Sequence, residues 1–168
     1  MRRLLFCIVV MTHMSVVCYS QETSMSNYRV TYFLSSTCKI CQFYSIELRE
    51  IYKDYNQFGF EFVGLFPGKL ETDSTLQSFK ELYQLPFPVS LDTTKHVDWK
   101  ATITPEVFVT DEQGAIIYYG RIDDAYFSVG KRRARVKHRE LRDVLDSLYH
   151  TGNTSIRHEP AVGCIIEK

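Results

Sequence analysis

The stretch Ser35-Ser36-Thr37-Cys38-Lys39-Ile40-Cys41 joins two segments of different periodicity. Residues 28–34, before it, are mostly β-branched and aromatic, which is typical of a buried strand. After it, apolar side chains recur at helical spacing, at Ile40, Tyr44, Leu48, Ile51 and Tyr55. The sequence therefore predicts a strand, a short loop and an amphipathic helix, with two cysteines three residues apart where that helix begins.

This position gives the two cysteines complementary chemistry. Cys38 falls in the first helical turn, where unpaired N–H groups and the positive end of the helix dipole favour a thiolate, and Lys39 adds a cation. Residues three apart on a helix share one face, so Cys41 can reach Cys38 and close a disulfide. An attacking thiolate and a neighbouring resolving thiol are what thiol–disulfide exchange requires. We therefore predict that Cys38 and Cys41 are the catalytic pair and form a disulfide.

Two other interpretations of the C-x-x-C motif are a purely structural disulfide and half of a zinc site. A zinc site needs about four ligands, and no second C-x-x-C or H-x-x-x-H follows. A non-enzymatic copper or zinc binder using Cys38 and Cys41, with Cys164 or His158, remains an alternative. We otherwise expect no metal and no organic cofactor.

The composition fits one domain with a substantial core, since 45% of the 168 residues are hydrophobic. Lys and Arg number 20, as do Asp and Glu, so no global charge points to nucleic acid. Residues 131–139 form the one strong basic run. We interpret it as a solvated loop leading into a helix, with docking to an anionic partner or membrane surface as the alternative.

The rest of the chain alternates strand-like and helix-like segments, which favours an α/β fold. The expected helices and strands, in chain order, are a buried strand at 58–66, a helix from about 72 to 83, a short strand at 89–92, a short helix at 95–100, strands at 106–110 and 115–119, and an amphipathic helix carrying Leu141, Val144, Leu145, Leu148 and Tyr149 that Gly152 ends.

The first twenty residues resemble a secretory signal. Arg2 and Arg3 precede an apolar run that ends near Met11, and small residues before Gln21 suit cleavage there. The run is short for about 30 Å of hydrocarbon, although an uncleaved membrane anchor, or a lipid anchor on Cys18, remains an alternative. Residues 21–27 are a polar linker. Export matters chemically because disulfides persist outside the cytoplasm.

Residues 28–149 resemble the thioredoxin-like superfamily, particularly its exported thiol–disulfide oxidoreductase and redoxin-type branches. The C-x-x-C after a strand carries the likeness, together with Ile103-Thr104-Pro105 before the strand residues Val107-Phe108-Val109. The resemblance implies a thioredoxin-like α/β fold, a mixed central β-sheet flanked by helices. It implies a domain at 28–150 and a tail at 151–168 that carries Cys164. It also implies that Pro105 is cis and faces Cys38, with Thr104 and Pro105 binding an extended substrate.

The chain departs from thioredoxins proper at several positions. Thr37 stands where they have Trp, Lys39-Ile40 replaces Gly-Pro, and Tyr32 falls at their buried acid. Redox potential and proton handling therefore do not carry over from the resemblance. Glu106 could line the groove as a proton acceptor, but we expect it to face solvent.

We expect an exported, periplasmic thiol–disulfide oxidoreductase that acts on protein disulfide or dithiol substrates. The resemblance favours the reducing direction, with electrons from a membrane partner. The enzymatic alternative is a peroxiredoxin-like thiol peroxidase. Ser35 matches its hydroxyl position, but Thr31 stands where such sites have proline. Cys164 is a third thiol that could relay electrons with Cys41, bond another chain or stay free.

Overall fold

The computed structural model describes residues 28–167. The strand, loop and helix predicted around Cys38 are present as β1, Tyr28–Phe33, and α1, Lys39–Tyr55. The remaining elements, in chain order, are a 3-10 turn at Asn56–Phe58, β2 at Phe60–Pro67, α2 at Asp73–Tyr83, β3 at Val89–Asp92, α3 at Lys95–Asp98, β4 at Ile103–Thr104, β5 at Glu106–Thr110, β6 at Ile116–Gly120, β7 at Tyr126–Ser128, β8 at Lys131–Arg132, α4 at Glu140–Thr151 and β9 at Cys164–Ile165.

Five strands form a mixed sheet in the order β3-β2-β1-β5-β6. β1 runs parallel to β2, and β2 runs parallel to β3. β5 is antiparallel to both β1 and β6. The expected mixed sheet flanked by helices is confirmed, and α1 is the crossover between the parallel strands β1 and β2.

The main core lies between the sheet and the long helices. All five members of the predicted α1 stripe are buried, and they pack with Val30, Tyr32, Val107 and Val109 from the sheet. The α4 residues Leu141, Val144, Leu145 and Leu148 and the α2 residues Leu76 and Phe79 complete this core. The stripe holds α1 rigidly against β1, which fixes the position of its N-terminus.

A smaller core covers the other face of the sheet. Phe33 and Phe108 point to this face, where the Trp99 ring lies 5.1 Å from that of Phe108. Ala101 and Ile166 complete the cluster. Because Ile166 belongs to the last residues of the chain, the C-terminal tail is part of the packed structure.

The predicted helix boundaries follow from their capping residues. The Thr72 hydroxyl accepts the Thr75 amide and forms a capping box at the start of α2. Gly152 adopts φ +69° and ends α4, as its sequence position predicts. α4 is tied to α1 by Arg142, which donates to Glu47 and Asp54 at 2.7 Å each.

The acidic segment after β6 is a structural link between elements. Asp123 accepts the Tyr44 hydroxyl of α1 at 2.5 Å. Asp124 accepts the backbone amides of Lys137 and His138 and pairs with Arg133. The basic run supplies β8, the second strand of a short hairpin with β7, and then a largely exposed loop that leads into α4.

The predicted signal peptide and linker lie outside the described residues. Within residues 28–167, no helix combines the length and apolar character that crossing a bilayer requires.

Replacing Leu48 with Ala tests the main core. Leu48 is fully buried, so Leu48→Ala should lower the free energy of unfolding by about 2–5 kcal/mol. Ile46, on the same helix, is 60% exposed, so Ile46→Ala should change it by about 0.5 kcal/mol or less. Urea denaturation of the oxidised proteins measures both, and equal losses would contradict this packing.

Candidate active site

Cys38 is the N-cap residue of α1, with φ −77° and ψ 115°. Its carbonyl accepts the Gln42 amide at 3.1 Å and its amide donates to the Ser35 carbonyl at 3.3 Å. The sulfur is thus held at the positive end of a 17-residue helix, one position before the first turn that the sequence predicted.

The Thr104–Pro105 peptide bond is cis, as the resemblance implied. The Thr104 carbonyl oxygen lies 3.3 Å from Cys38 Sγ, so the loop before β5 meets the N-terminus of α1. Thr104 itself is almost fully buried, at 2% exposed. The two motifs that the sequence singled out therefore form one site.

Cys38 is bonded to Cys164 in this structure, with a Cα–Cα distance of 6.0 Å. The predicted partner, Cys41, is a free, buried thiol. The pairing follows from the tail, because β9 runs antiparallel to β4 and sets Cys164 opposite Thr104. In this structure Cys164 is therefore not a free thiol.

Cys41 is held as a neutral thiol. Burial raises its pKa to about 12, although hydrogen bonds from the Ser35 amide and the Thr104 side chain act in the opposite direction. The Ser35 amide lies 3.4 Å from the sulfur. Cys41 is thus shielded from solvent, with the Ser35 amide directed at its sulfur.

Glu71 organises the loop before Cys38, and sequence analysis did not identify it. Its carboxylate accepts the Ser35 hydroxyl at 3.0 Å and the Ser36 amide at 2.9 Å. Its other oxygen accepts the Thr75 hydroxyl from α2 at 3.1 Å. These bonds join the active-site loop to α2. The sequence does not reveal these bonds, because the loop after β2 that carries Glu71 has neither helical nor strand periodicity.

A cavity of 190 Å³ opens beside the disulfide. Thr37 and Glu71 line one side, and Thr104, Cys164 and Ile165 line the other. Of the two bonded cysteines, Cys164 lines the cavity, whereas Cys38 is only 1% exposed. An incoming group therefore meets the tail before it meets Cys38.

Comparison with protein families adds a match over residues 17–119, more than half of the chain, to the AhpC/TSA family. The chain belongs to the AhpC/TSA family. This family membership and the mixed sheet with its helices agree with the thioredoxin-like resemblance drawn from the sequence. A search of curated proteins found no match.

Solved structures share the fold. An uncharacterized conserved protein from Geobacillus kaustophilus superposes with a TM-score of 0.73 at 23% identity, over 86% of this chain and 79% of that one. A hypothetical protein from Sinorhizobium meliloti gives 0.73 at 24% identity, over 84% and 79%. A thiol-disulfide isomerase from Corynebacterium glutamicum gives 0.53 at 18% identity, over 59% and 74%.

Glu106 does not face solvent, contrary to the sequence expectation. It is half-buried on β5, two residues before Phe108 and on the same sheet face. Its Oε2 is buried without a hydrogen-bond partner, and burial raises the pKa of the carboxyl to about 6. Its face belongs to the smaller core, whereas Val107, Val109 and both helix cysteines belong to the main core.

The metal-site alternative has no support in the arrangement of side chains. His158 stacks on the Tyr119 ring at 4.2 Å, and its Nδ1 accepts the Tyr119 amide at 3.1 Å. Across residues 28–167, no three His, Cys, Asp or Glu side chains are grouped so that they could hold a metal ion.

Alkylation of Cys41 tests its burial. With a pKa of about 12, only about one Cys41 in ten thousand is thiolate at pH 8, so iodoacetamide should react slowly in the oxidised native protein. The rate should rise about tenfold per pH unit between pH 7 and 10. In urea the rate should level off above about pH 8.5, the value of an ordinary thiol. Peptide mass spectrometry reads the rate at Cys41 alone. Levelling off near pH 8.5 in the native protein would contradict the assignment.

Proposed function

We propose that this protein is a thiol–disulfide oxidoreductase acting on protein substrates, with Cys38 as nucleophile and Cys41 as resolving thiol. One observation supports the proposal above all: the Cys38 sulfur already forms a disulfide with one cysteine, while a second cysteine lies three residues along the same helix. A sulfur with two thiol partners is the arrangement that exchange requires. Thr104 and Pro105 form the substrate-binding edge beside it.

The chemistry balances with these residues alone. The Cys38 thiolate attacks one sulfur of a substrate disulfide, and the other substrate sulfur leaves as a thiolate and takes up a proton. Cys41 then loses its proton and attacks Cys38 Sγ. A Cys38–Cys41 bond forms, the mixed disulfide breaks, and the substrate leaves with both sulfurs reduced. Two electrons have passed from the protein to the substrate.

The reducing direction, export to the periplasm and a membrane electron donor belong to the same proposal. They are supported by the signal-like residues 1–20 and by the resemblance of the C-x-x-C and Thr104-Pro105 motifs to exported oxidoreductases. The donor must supply two electrons to regenerate the Cys38 and Cys41 thiols.

Peroxide reduction is the second candidate, and the bond to Cys164 favours it. If peroxide oxidised Cys38 to a sulfenic acid, the Cys164 thiol would condense with it, release water and leave the bond seen here. The surroundings favour exchange instead. Ser35, at the hydroxyl position of peroxidatic sites, donates to Glu71 instead of towards the Cys38 sulfur, and Thr31 stands where such sites have proline.

A trapping experiment in the full chain tests the proposal. Cys164 must be removed with Cys41, because either thiol could release a bound substrate from Cys38. The Cys41→Ser, Cys164→Ser protein should therefore accumulate disulfide-linked partner proteins on Cys38, separable by non-reducing electrophoresis. The matched control adds Cys38→Ser to the same background and should lose every such adduct. Absence of adducts that depend on Cys38 would contradict the proposal.

Paired activity assays separate the two candidates. Insulin reduction and peroxide consumption are measured on one preparation of the unmodified chain and on Cys38→Ser. The proposal expects insulin reduction that disappears in Cys38→Ser, with peroxide consumption at background. Peroxide consumption that depends on Cys38, without insulin reduction, would establish the second candidate instead.

A further inference from the structure

The tail, residues 153–167, is bound to the body of the protein along its length. The His158 ring stacks on Tyr119, and the Glu159 carbonyl accepts the Arg121 amide at 2.9 Å. Further on, the Ile166 amide donates to the Thr102 carbonyl at 2.9 Å. The disulfide is therefore one of several attachments, and the path of the tail does not depend on it alone.

Two glycines allow the tail to approach this closely. A Cβ on Gly120 would lie 2.2 Å from the Glu159 carbonyl oxygen, and Gly120 also adopts φ +138°. A Cβ on Gly163 would lie 2.0 Å from the Thr104 carbonyl oxygen. Gly163 is not in the left-handed region, so closeness alone requires glycine there. The residue before Cys164 is thus pressed against the backbone that contacts Cys38.

The end of the tail lies in the groove as an extended strand. Cys164 pairs with Thr104 and Ile165 with Ile103, in antiparallel register. Ile165 is 80% exposed, whereas Ile166 is 8% exposed and packs in the smaller core. The groove therefore distinguishes three positions around the cysteine. The position before it, Gly163, has no room for a side chain; the position after it, Ile165, is open to solvent; and the next position, Ile166, lies in an apolar pocket.

We propose that Gly163-Cys164-Ile165-Ile166 is an internal substrate. The segment occupies the groove that external substrates use. External substrates share its pattern, which is an extended segment with glycine directly before the reacting cysteine and an aliphatic residue two positions after that cysteine. This inference rests on the proposed function, because it identifies the peptide class that Cys38 attacks. Antiparallel pairing with the backbone of β4 supplies the orientation.

The internal substrate also regulates access. Cys38 is covered while Cys164 is bonded to it, so the tail must leave before another substrate enters. Deprotonated Cys41 attacks Cys38 Sγ; the Cys38–Cys41 bond forms, the Cys38–Cys164 bond breaks, and Cys164 leaves with the proton that Cys41 lost. No electrons enter or leave in this step.

Synthetic peptides test the pattern directly. The first probe is Ala-Val-Gly-Cys-Ile-Ile-Glu with its cysteine joined to 5-thio-2-nitrobenzoate. Attack by Cys38 joins the peptide to the protein and releases the coloured thiolate, whose absorbance gives the rate. The protein is the full chain with Cys7, Cys18, Cys41 and Cys164 each replaced by Ser, so that Cys38 is the only thiol and each reaction stops at the mixed disulfide. The tail, now without its disulfide, can leave the groove, and it competes equally with every peptide.

Three altered peptides separate the positions. Alanine for the glycine should slow the reaction about tenfold or more, because its Cβ collides with the Thr104 carbonyl. Alanine for the second isoleucine should slow it about tenfold, since the apolar burial is lost. Alanine for the first isoleucine, the exposed position, is the matched control and should change the rate by about twofold or less. Equal rates for all four peptides would overturn the inference.

A small reagent separates this inference from the proposed function. The same protein is treated with 5,5′-dithiobis(2-nitrobenzoate), which has no peptide to place in the groove. Reaction at Cys38 with no discrimination among the peptides would overturn the internal substrate and leave the oxidoreductase proposal standing. No reaction at Cys38 with either the reagent or the peptides would overturn both.

Discussion

Thr104 is the residue on which the site depends, because it contacts both ends of the disulfide. Its carbonyl lies 3.3 Å from Cys38 Sγ, its backbone pairs with Cys164, and its hydroxyl donates to the Cys164 carbonyl at 3.4 Å. The cis bond to Pro105 and the start of β5 hold it in place. The sulfur chemistry is thus organised around one buried peptide unit at the meeting point of sheet, helix and tail.

The two possible partners of Cys38 differ in their surroundings. Cys164 is half-buried on a two-residue strand beside a cavity, whereas Cys41 is fully buried in the main core with a raised pKa. Exposure makes Cys164 the sulfur that solvent reagents meet, whereas burial shields Cys41 from them. Glu71 fixes the loop before Cys38 through its hydrogen bonds to Ser35 and Ser36.

The sequence predicted those parts that local patterns encode. The stripe on α1 and the alternation of strands and helices identify the fold, and the Thr104-Pro105 motif identifies the facing loop through resemblance. The partner of Cys38 was beyond such patterns, because Cys164 lies 126 residues away and its approach depends on the tail crossing β6 and β4. An apolar Gly-Cys-Ile-Ile segment in a polar tail was the one available signal. Glu71 depends on a loop path that carries no periodicity, and the half-buried environment of Glu106 depends on packing against the smaller core.

Disulfide mapping during stepwise reoxidation tests the central claim, that Cys38 is the sulfur shared between two thiols. The reduced full chain is equilibrated with glutathione buffers of increasing oxidising strength, quenched with acid, digested and mapped by mass spectrometry. The account predicts that the populations with a Cys38–Cys41 bond and with a Cys38–Cys164 bond rise together as the buffer becomes more oxidising. It predicts no Cys41–Cys164 bond at any step. A substantial Cys41–Cys164 population with Cys38 left free would contradict it.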